Sequence, residues 1–365
     1  MSPEEAYWIW LAQVQGLSHK RIEELLERFG SPQEVYRVGW ERWASVVGVQ
    51  LADRMRALRA QEAAEGLART ARDKGCQLIT RAHPAYPETL RRMPDGPYLL
   101  YAQGDLSLLE RTAVAVVGSR SVTQYGRRAA AYFGAGLAAA GVCVVSGLAR
   151  GVDSIAQQAA LDAGGKVIAV LGTGLDRCYP PENQELQGRI AREGLLLSEH
   201  GFGAWAKPWH FPVRNRLLAG LSRAVLVVEA GENSGSLITA GYAVDYDREL
   251  FAVPGSIFSP SSRGCNQLLR FSARPALELA DLLAALDLPA VPQASGVQTQ
   301  LPEGLSGEAL ALCAQLRGED LSFDELVECT GLSPGKLNSL LTMLEMQGII
   351  VKTPGRIYGL NGSFK

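Results

Sequence analysis

The stretch Thr112-Ala113-Val114-Ala115-Val116-Val117-Gly118-Ser119-Arg120 decides the fold. Its apolar core, residues 113–117, has no polar alternation, so it reads as a strand covered on both faces. Gly118 and Ser119 end the strand, and a helical pattern begins near Tyr125. The same grammar recurs along the chain. Apolar runs at 113–117, 142–145, 167–171, 195–197, 224–228 and 250–253 are short, often β-branched, and separated by segments of helix length. Continuously apolar strands joined by helical crossovers make a parallel sheet with helices on both faces. Right-handed crossovers then give an α/β, extended Rossmann-like, doubly wound and mainly parallel sheet, whose ligands bind at the carboxyl ends of the strands. We assign this domain to residues 76–286, with 76–110 as a connector containing short extended pieces.

On the N-terminal side, residues 1–75 show apolar positions at helix spacing, as at Ile22, Leu25, Leu26 and Phe29, with breaks at Gly16, Gly30 and Gly48. The pattern predicts a small helical domain of SAM-like or helix-hairpin-helix type. It serves either phosphate contact through backbone N–H groups or helical packing. On the C-terminal side, Pro289, Pro292 and Pro302 with several Gln, Ser and Gly mark 287–304 as a linker. Residues 305–365 then read as a winged helix. Helices start near Ser306, at Ser322 with Glu325 as a capping box, and at Ser333, and a hairpin turns at Thr353-Pro354-Gly355. Its third helix has Lys336 against Glu345, which favours protein docking over DNA reading, since phosphate contact depends on Lys and Arg.

Of 365 residues, 47% are hydrophobic and 20% charged, ordinary values that exclude a disordered or fibrous chain. The formal charge of −2 hides an asymmetry: residues 1–110 carry −1, residues 111–275 carry +5, and residues 276–365 carry −6. A basic centre suits an anionic ligand. Cys76, Cys143, Cys178, Cys265, Cys313 and Cys329 are dispersed without a CxxC pair and read as reduced thiols. The four histidines have no ligand spacing, so no metal is expected. The acidic start Met1-Ser2-Pro3-Glu4-Glu5 lacks the basic residues of a signal peptide, and the expectation is a cytoplasmic protein. The uncharged run Ala129–Ala149 reads as helix, turn and strand rather than as a membrane span, since Ala and Gly contribute little on insertion.

The strand-end turns carry the candidate site. Gly118-Ser119-Arg120 offers backbone N–H groups and a two-pronged cation to an anion. The dinucleotide fingerprint GxGxxG is absent, so no nicotinamide cofactor is expected. The second strand delivers Ser146-Gly147-Leu148-Ala149-Arg150-Gly151-Val152-Asp153, in which Arg150 either converges with Arg120 or is tied to Asp153 or another local carboxylate, Asp153 itself being read as a helix cap. Lys207-Pro208-Trp209-His210-Phe211-Pro212-Val213-Arg214-Asn215-Arg216 interleaves cations with aromatics in what reads as a long loop. Lys207, Trp209, Phe211, Arg214, Asn215 and Arg216 have the equipment to stack exposed bases and follow a backbone; alternatively Trp209 and Phe211 anchor a long loop in the core and Arg216 makes a structural ion pair. Ser234-Gly235-Ser236, opening a helix after the fifth strand, is a second anion nest. No nucleophile motif or carboxylate pair is marked out, so no catalytic residues are assigned.

In this order Gly118-Ser119-Arg120, Ser146 to Asp153, Phe211 to Ser222, Ser234 to Ala240 and Ala252-Val253-Pro254-Gly255 resemble the motif series of the DprA (DNA-processing protein A, Smf) family over about residues 76–275. The resemblance implies sequence-independent binding of single-stranded DNA and a homodimer formed through the Rossmann-like domain. It also implies a role in loading the RecA recombinase during natural transformation and recombination. It places DNA contact on Arg120, Arg214 and Arg216, and also on Arg150, Lys207 and Phe211. The alternative is a Rossmann-type enzyme acting on a phosphorylated nucleotide, similar to the lysine-decarboxylase-like phosphoribohydrolases, but their Pro-Gly-Gly-x-Gly-Thr motif is missing here.

Overall fold

The computed structural model describes residues 3–14, 16–61, 64–289, 301–302, 304–317, 320–353 and 355–361. The chain divides into two units, Met1–Ala290 and Val291–Lys365.

The first unit is built on nine strands: β1 (Gln77–Thr80), β2 (Leu99–Gly104), β3 (Ala113–Val117), β4 (Cys143–Ser146), β5 (Val167–Leu171), β6 (Leu195–Ser198), β7 (Ala224–Val227), β8 (Glu249–Ala252) and β9 (Arg274–Pro275). Their order across the sheet is β1-β2-β6-β5-β4-β3-β7-β8-β9. From β6 to β9 every pairing is parallel, and β3 to β7 are buried at every position. This agrees with the doubly wound reading of their continuous apolar runs. The stretch read as a connector adds β1 and β2 as an antiparallel extension, with β2 running against β6.

Six helices precede the sheet: α1 (Pro3–Gln13), α2 (His19–Phe29), α3 (Pro32–Arg37), α4 (Trp40–Val47), α5 (Val49–Gln61) and α6 (Ala64–Asp73). Trp10 and Trp43 are fully buried among them, with their rings 5.6 Å apart. Trp8 stacks on Tyr98 at 5.2 Å, and Gln13 donates to the Tyr101 hydroxyl, so this layer is fastened to the β2 edge. The expected boundary at 75/76 therefore separates kinds of element inside one compact unit.

The remaining helices of this unit are α7 (Glu88–Arg91), α8 (Gln124–Ala139), α9 (Val152–Asp162), α10 (Gln184–Glu193), α11 (His210–Gly220), α12 (Ser236–Asp245), α13 (Arg263–Phe271) and α14 (Leu279–Ala285). The uncharged run 129–149 is the body of α8, a turn with Gly141 at φ 74°, and β4. Among the described residues, no helix is long and apolar enough to cross a membrane.

The second unit has α15 (Gly307–Gln315), β10 (Leu321–Ser322), α16 (Phe323–Thr330), α17 (Pro334–Met346), β11 (Ile350–Thr353) and β12 (Ile357–Leu360). β12 lies between β10 and β11, giving the winged helix, and the Ser322–Glu325 capping box is present. Leu312, Leu326, Leu337, Leu341 and Leu344 form its core. Most of the linker assigned to 287–304, and Pro354 of the wing turn, lie outside the described residues.

Candidate functional site

The sheet order fixes where a ligand can enter. From β3 the chain winds through β4, β5 and β6 on one side, then returns to β7 on the other side of β3. The loops after β3 and β7 therefore diverge and leave a crevice at the carboxyl edge, the usual ligand position of a doubly wound sheet. A cavity of about 830 Å³ lies there, lined by Gly118, Ser119 and Arg120 after β3, by Ser234, Gly235 and Ser236 after β7, and by Phe211 and Asn215 of α11. The residues of the two turns read as anion nests thus line one space, but the Ser119, Ser234 and Ser236 N–H groups are already given to the Glu229 carbonyl, the Gly231 carbonyl and the Ser234 hydroxyl.

Two buried carboxylates hold the loops in place. Glu229, just past β7, accepts the Thr123 N–H at 3.1 Å and the Thr123 hydroxyl, while its carbonyl accepts the Ser119 N–H at 2.7 Å. Thr123 in turn caps α8 by accepting from the Gly126 N–H at 3.1 Å. The Gly118–Thr123 loop is thereby bent over β7 with Arg120 at its apex. Asp153 corrects its sequence reading as a helix cap: Gly151 occupies that position, and the carboxylate accepts the Gly147 and Ala149 N–H groups at 3.0 and 3.4 Å. Burial pushes the Asp153 carboxyl above its ordinary value, against the pull of Arg214. Gly151, at φ 78°, passes so close to the Ser119 carbonyl that a Cβ would collide with it.

The arginines separate into two kinds. Arg120 lies 5.3 Å over the Phe211 ring, and among the described residues no carboxylate pairs with it. Arg214 and Arg216, expected in an exposed loop, stand instead on α11 and are 4% and 8% exposed. The loop reading of 207–216 is corrected from His210 onward. Pro212 falls in the first turn of α11, which tolerates proline because its N–H needs no partner there. Arg214 lines the cavity from below; its Nη1 donates to the Gly147 carbonyl at 2.9 Å and to the Val170 carbonyl, and its Nε to Asn215. Burial lowers it to about 10, which leaves it charged at neutral pH. Arg216 does not line the cavity: Nη2 donates to both Glu199 oxygens at 2.6 and 2.8 Å, and Nε lies 3.5 Å from Asp95. Arg150 is exposed but pairs with Glu182 rather than with Asp153, and its side chain stays out of the cavity.

Aromatic groups form the rim. Phe211 lies 5.4 Å from Tyr179, a cavity residue the sequence reading missed because Cys178-Tyr179-Pro180 carries no chemical motif. Trp209 is 63% exposed with Lys207 5.5 Å from its ring; both stand beside the cavity rather than within it. His200 stacks on His210 at 4.0 Å, and burial first, then the neighbouring imidazole and cations, lowers His200 to about 4. The pair is therefore neutral at pH 7. Thr239, also missed, presents to the cavity a buried hydroxyl that has no hydrogen-bond partner among the described residues. Asn215 donates to the Gly235 carbonyl at 3.2 Å, tying α11 to the nest before α12. Among the described residues the assembled surface offers a guanidinium without a carboxylate partner, a buried cation beneath it, serine hydroxyls and the tilted Phe211–Tyr179 pair: equipment for a phosphodiester with a neighbouring base.

Comparison with known proteins agrees with the fold. Residues 77–287 match the family model "DNA recombination-mediator protein A", and residues 297–356 match "DprA winged helix domain". Protein Smf of Synechocystis sp. is 33% identical over 97% of this chain and 98% of its own. The DNA processing protein DprA of Streptococcus pneumoniae is 46% identical over 55% of this chain and 71% of its own. Its X-ray structure superposes with a TM-score of 0.68 at 36% identity, covering 78% of this chain and 99% of that one. A structure of DNA processing protein A from Helicobacter pylori, described for its single-stranded DNA binding mode, gives a TM-score of 0.53 at 32% identity, covering 59% and 97%.

Proposed function

The chain belongs to the DNA recombination-mediator protein A family, and from that premise we propose that it binds single-stranded DNA without sequence preference at the β3–β7 crevice and helps load RecA on that strand during transformation and recombination. The observation that carries the DNA half is the unpaired Arg120 lying over Phe211 at the mouth of a cavity floored by Arg214. A guanidinium beside a ring receives a phosphate and a base together, and neither contact depends on which base is present. A duplex base is already stacked on its neighbours and offers no free face. Lys207 and Trp209 extend the same chemistry along the rim, and Ser234-Gly235-Ser236 receives a second phosphate. Arg214 and Asn215 serve by shaping the floor, and Arg216 by holding α11 in place through Glu199.

Binding without turnover is the reading for the buried acids, because Asp153, Glu199 and Glu229 are each bonded to backbone, guanidinium or hydroxyl groups. The recombinase half rests on family membership. For the dimer, the β8–β9 side of the sheet supplies exposed Ile257, Phe258, Phe271 and Leu277. Large exposed apolar groups of this kind mark interaction sites.

Fluorescence-anisotropy titrations with mixed-sequence single strands, duplex and mononucleotides at two salt concentrations test the proposal. Single strands should bind alike regardless of sequence, more tightly than duplex, and more weakly as salt rises. Duplex competing equally, or turnover of a mononucleotide, would overturn it.

A further inference from the structure

The segment between β6 and α11 continues past the cavity, and every Phe and Trp along 202–211 is faced by a cation. Lys74 Nζ lies 4.7 Å from the Phe202 ring centre, the Arg177 guanidinium 4.2 Å from that of Trp205, Lys207 Nζ 5.5 Å from that of Trp209, and Arg120 5.3 Å from that of Phe211. Lys74, Arg177 and Arg120 come from segments distant in sequence, so the fold, not local sequence, makes these pairs. Trp205 is 64% exposed, although burying an indole is among the more stabilising things a fold can do with one. Its setting is fixed: the Gly203 N–H donates to Asp176 Oδ1 at 2.8 Å, and the Ala204 carbonyl accepts the Gly174 N–H at 3.0 Å. Asp176 also lies 3.5 Å from Lys74 and 3.8 Å from Arg177, two cations against one carboxylate, which leaves the patch positive. Ala206 and Pro208 line the cavity itself, so Trp205 adjoins its mouth.

We propose that Trp205 and Arg177 form an outer stacking subsite for a further base of the same single strand whose neighbouring nucleotides occupy the cavity. The proposal rests on the single-strand reading above. Arg177 covers one face of the indole and leaves the other for a base, as in sites that track a strand by stacking and charge. A protein partner could also use a Trp and an Arg. Continuity with the cavity through Ala206 and Pro208, and the surplus of cations, favour the polyanion.

The test is the length dependence of binding, using the full chain and oligodeoxythymidylates from about 4 to about 16 nucleotides. Wild-type affinity should climb with length. Trp205→Ala should match wild type on the shortest oligomer and fall at least about fivefold below it on the longest, with Trp205→Phe recovering most of the difference. Because Trp205 is exposed, its melting temperature should not change. Equal binding by Trp205→Ala and wild type at all lengths overturns the outer subsite and leaves the cavity reading in place. An equal loss at all lengths in a folded variant also overturns it, because Trp205 would then act within the cavity. Wild-type protein that binds no oligomer at any length overturns the single-strand reading, and this proposal with it.

Discussion

The rim and the floor of the cavity use the same residue types for opposite work. On the rim, Arg120 and Lys207 lie against aromatic rings with no carboxylate partner among the described residues. In the floor and the layer behind it, Arg214 and Arg216 are bonded to backbone carbonyls and to Glu199 respectively. A cation left in water with a ring beside it remains available to a phosphate, whereas a buried cation must be satisfied internally or it destabilises the fold. The contrast teaches that at this site an arginine's role is decided by where its partner carboxylate lies, and it predicts that rim and floor variants fail in different assays.

The largest expected effect lies behind the floor. Arg216→Ala leaves Glu199, 22% of whose side chain is exposed, without its charged hydrogen-bond partner and should destabilise the first unit by about 2–3 kcal/mol, read as a shift in the urea midpoint. Little change in stability would erase the distinction between floor and rim.

A second floor effect is set by pH. The folded protein holds His200 at about 4, below its ordinary 6.5, so the unfolded chain binds more protons between those values. Stability should therefore be intact above about pH 6.5 and fall as pH drops toward 4, with this residue contributing on the order of 2 kcal/mol. His200→Gln should flatten that part of the pH–stability curve. A variant curve parallel to wild type would assign the loss elsewhere.

Rim variants should spare the fold and lose DNA. Arg120→Ala should weaken single-strand binding about tenfold, near 1.4 kcal/mol, and lower the log–log salt slope by about 0.7, with an unchanged melting temperature. Unchanged affinity and slope would remove Arg120 from the site.

The smallest effect sharpens the comparison by exclusion. Deletion of the second unit from Val291 should leave single-strand affinity within about threefold, under ~1 kcal/mol, because residues 291–365 carry a net −3. A greater loss would mean that the winged helix contributes to DNA binding.

The sequence alone determined the six parallel strands, the strand-end turns, the winged helix and the family, because these are written in local patterns. A continuous apolar run has few readings, and Gly118-Ser119-Arg120 after such a run places its own N–H groups and cation at the strand's carboxyl end. Asp95 was not legible as a partner of Arg216, nor Glu229 as the clamp on Thr123, because 106 positions separate the last pair and no local pattern records the contact. The tertiary structure decided that Arg214 and Arg216 turn inward while Arg120 stays open. It also brought Arg177 over Trp205 and Tyr179 beside Phe211. Burial and charge pairing depend on which distant segments a fold brings together, and the order of β3 between β4 and β7, not the identity of any one arginine, set that here.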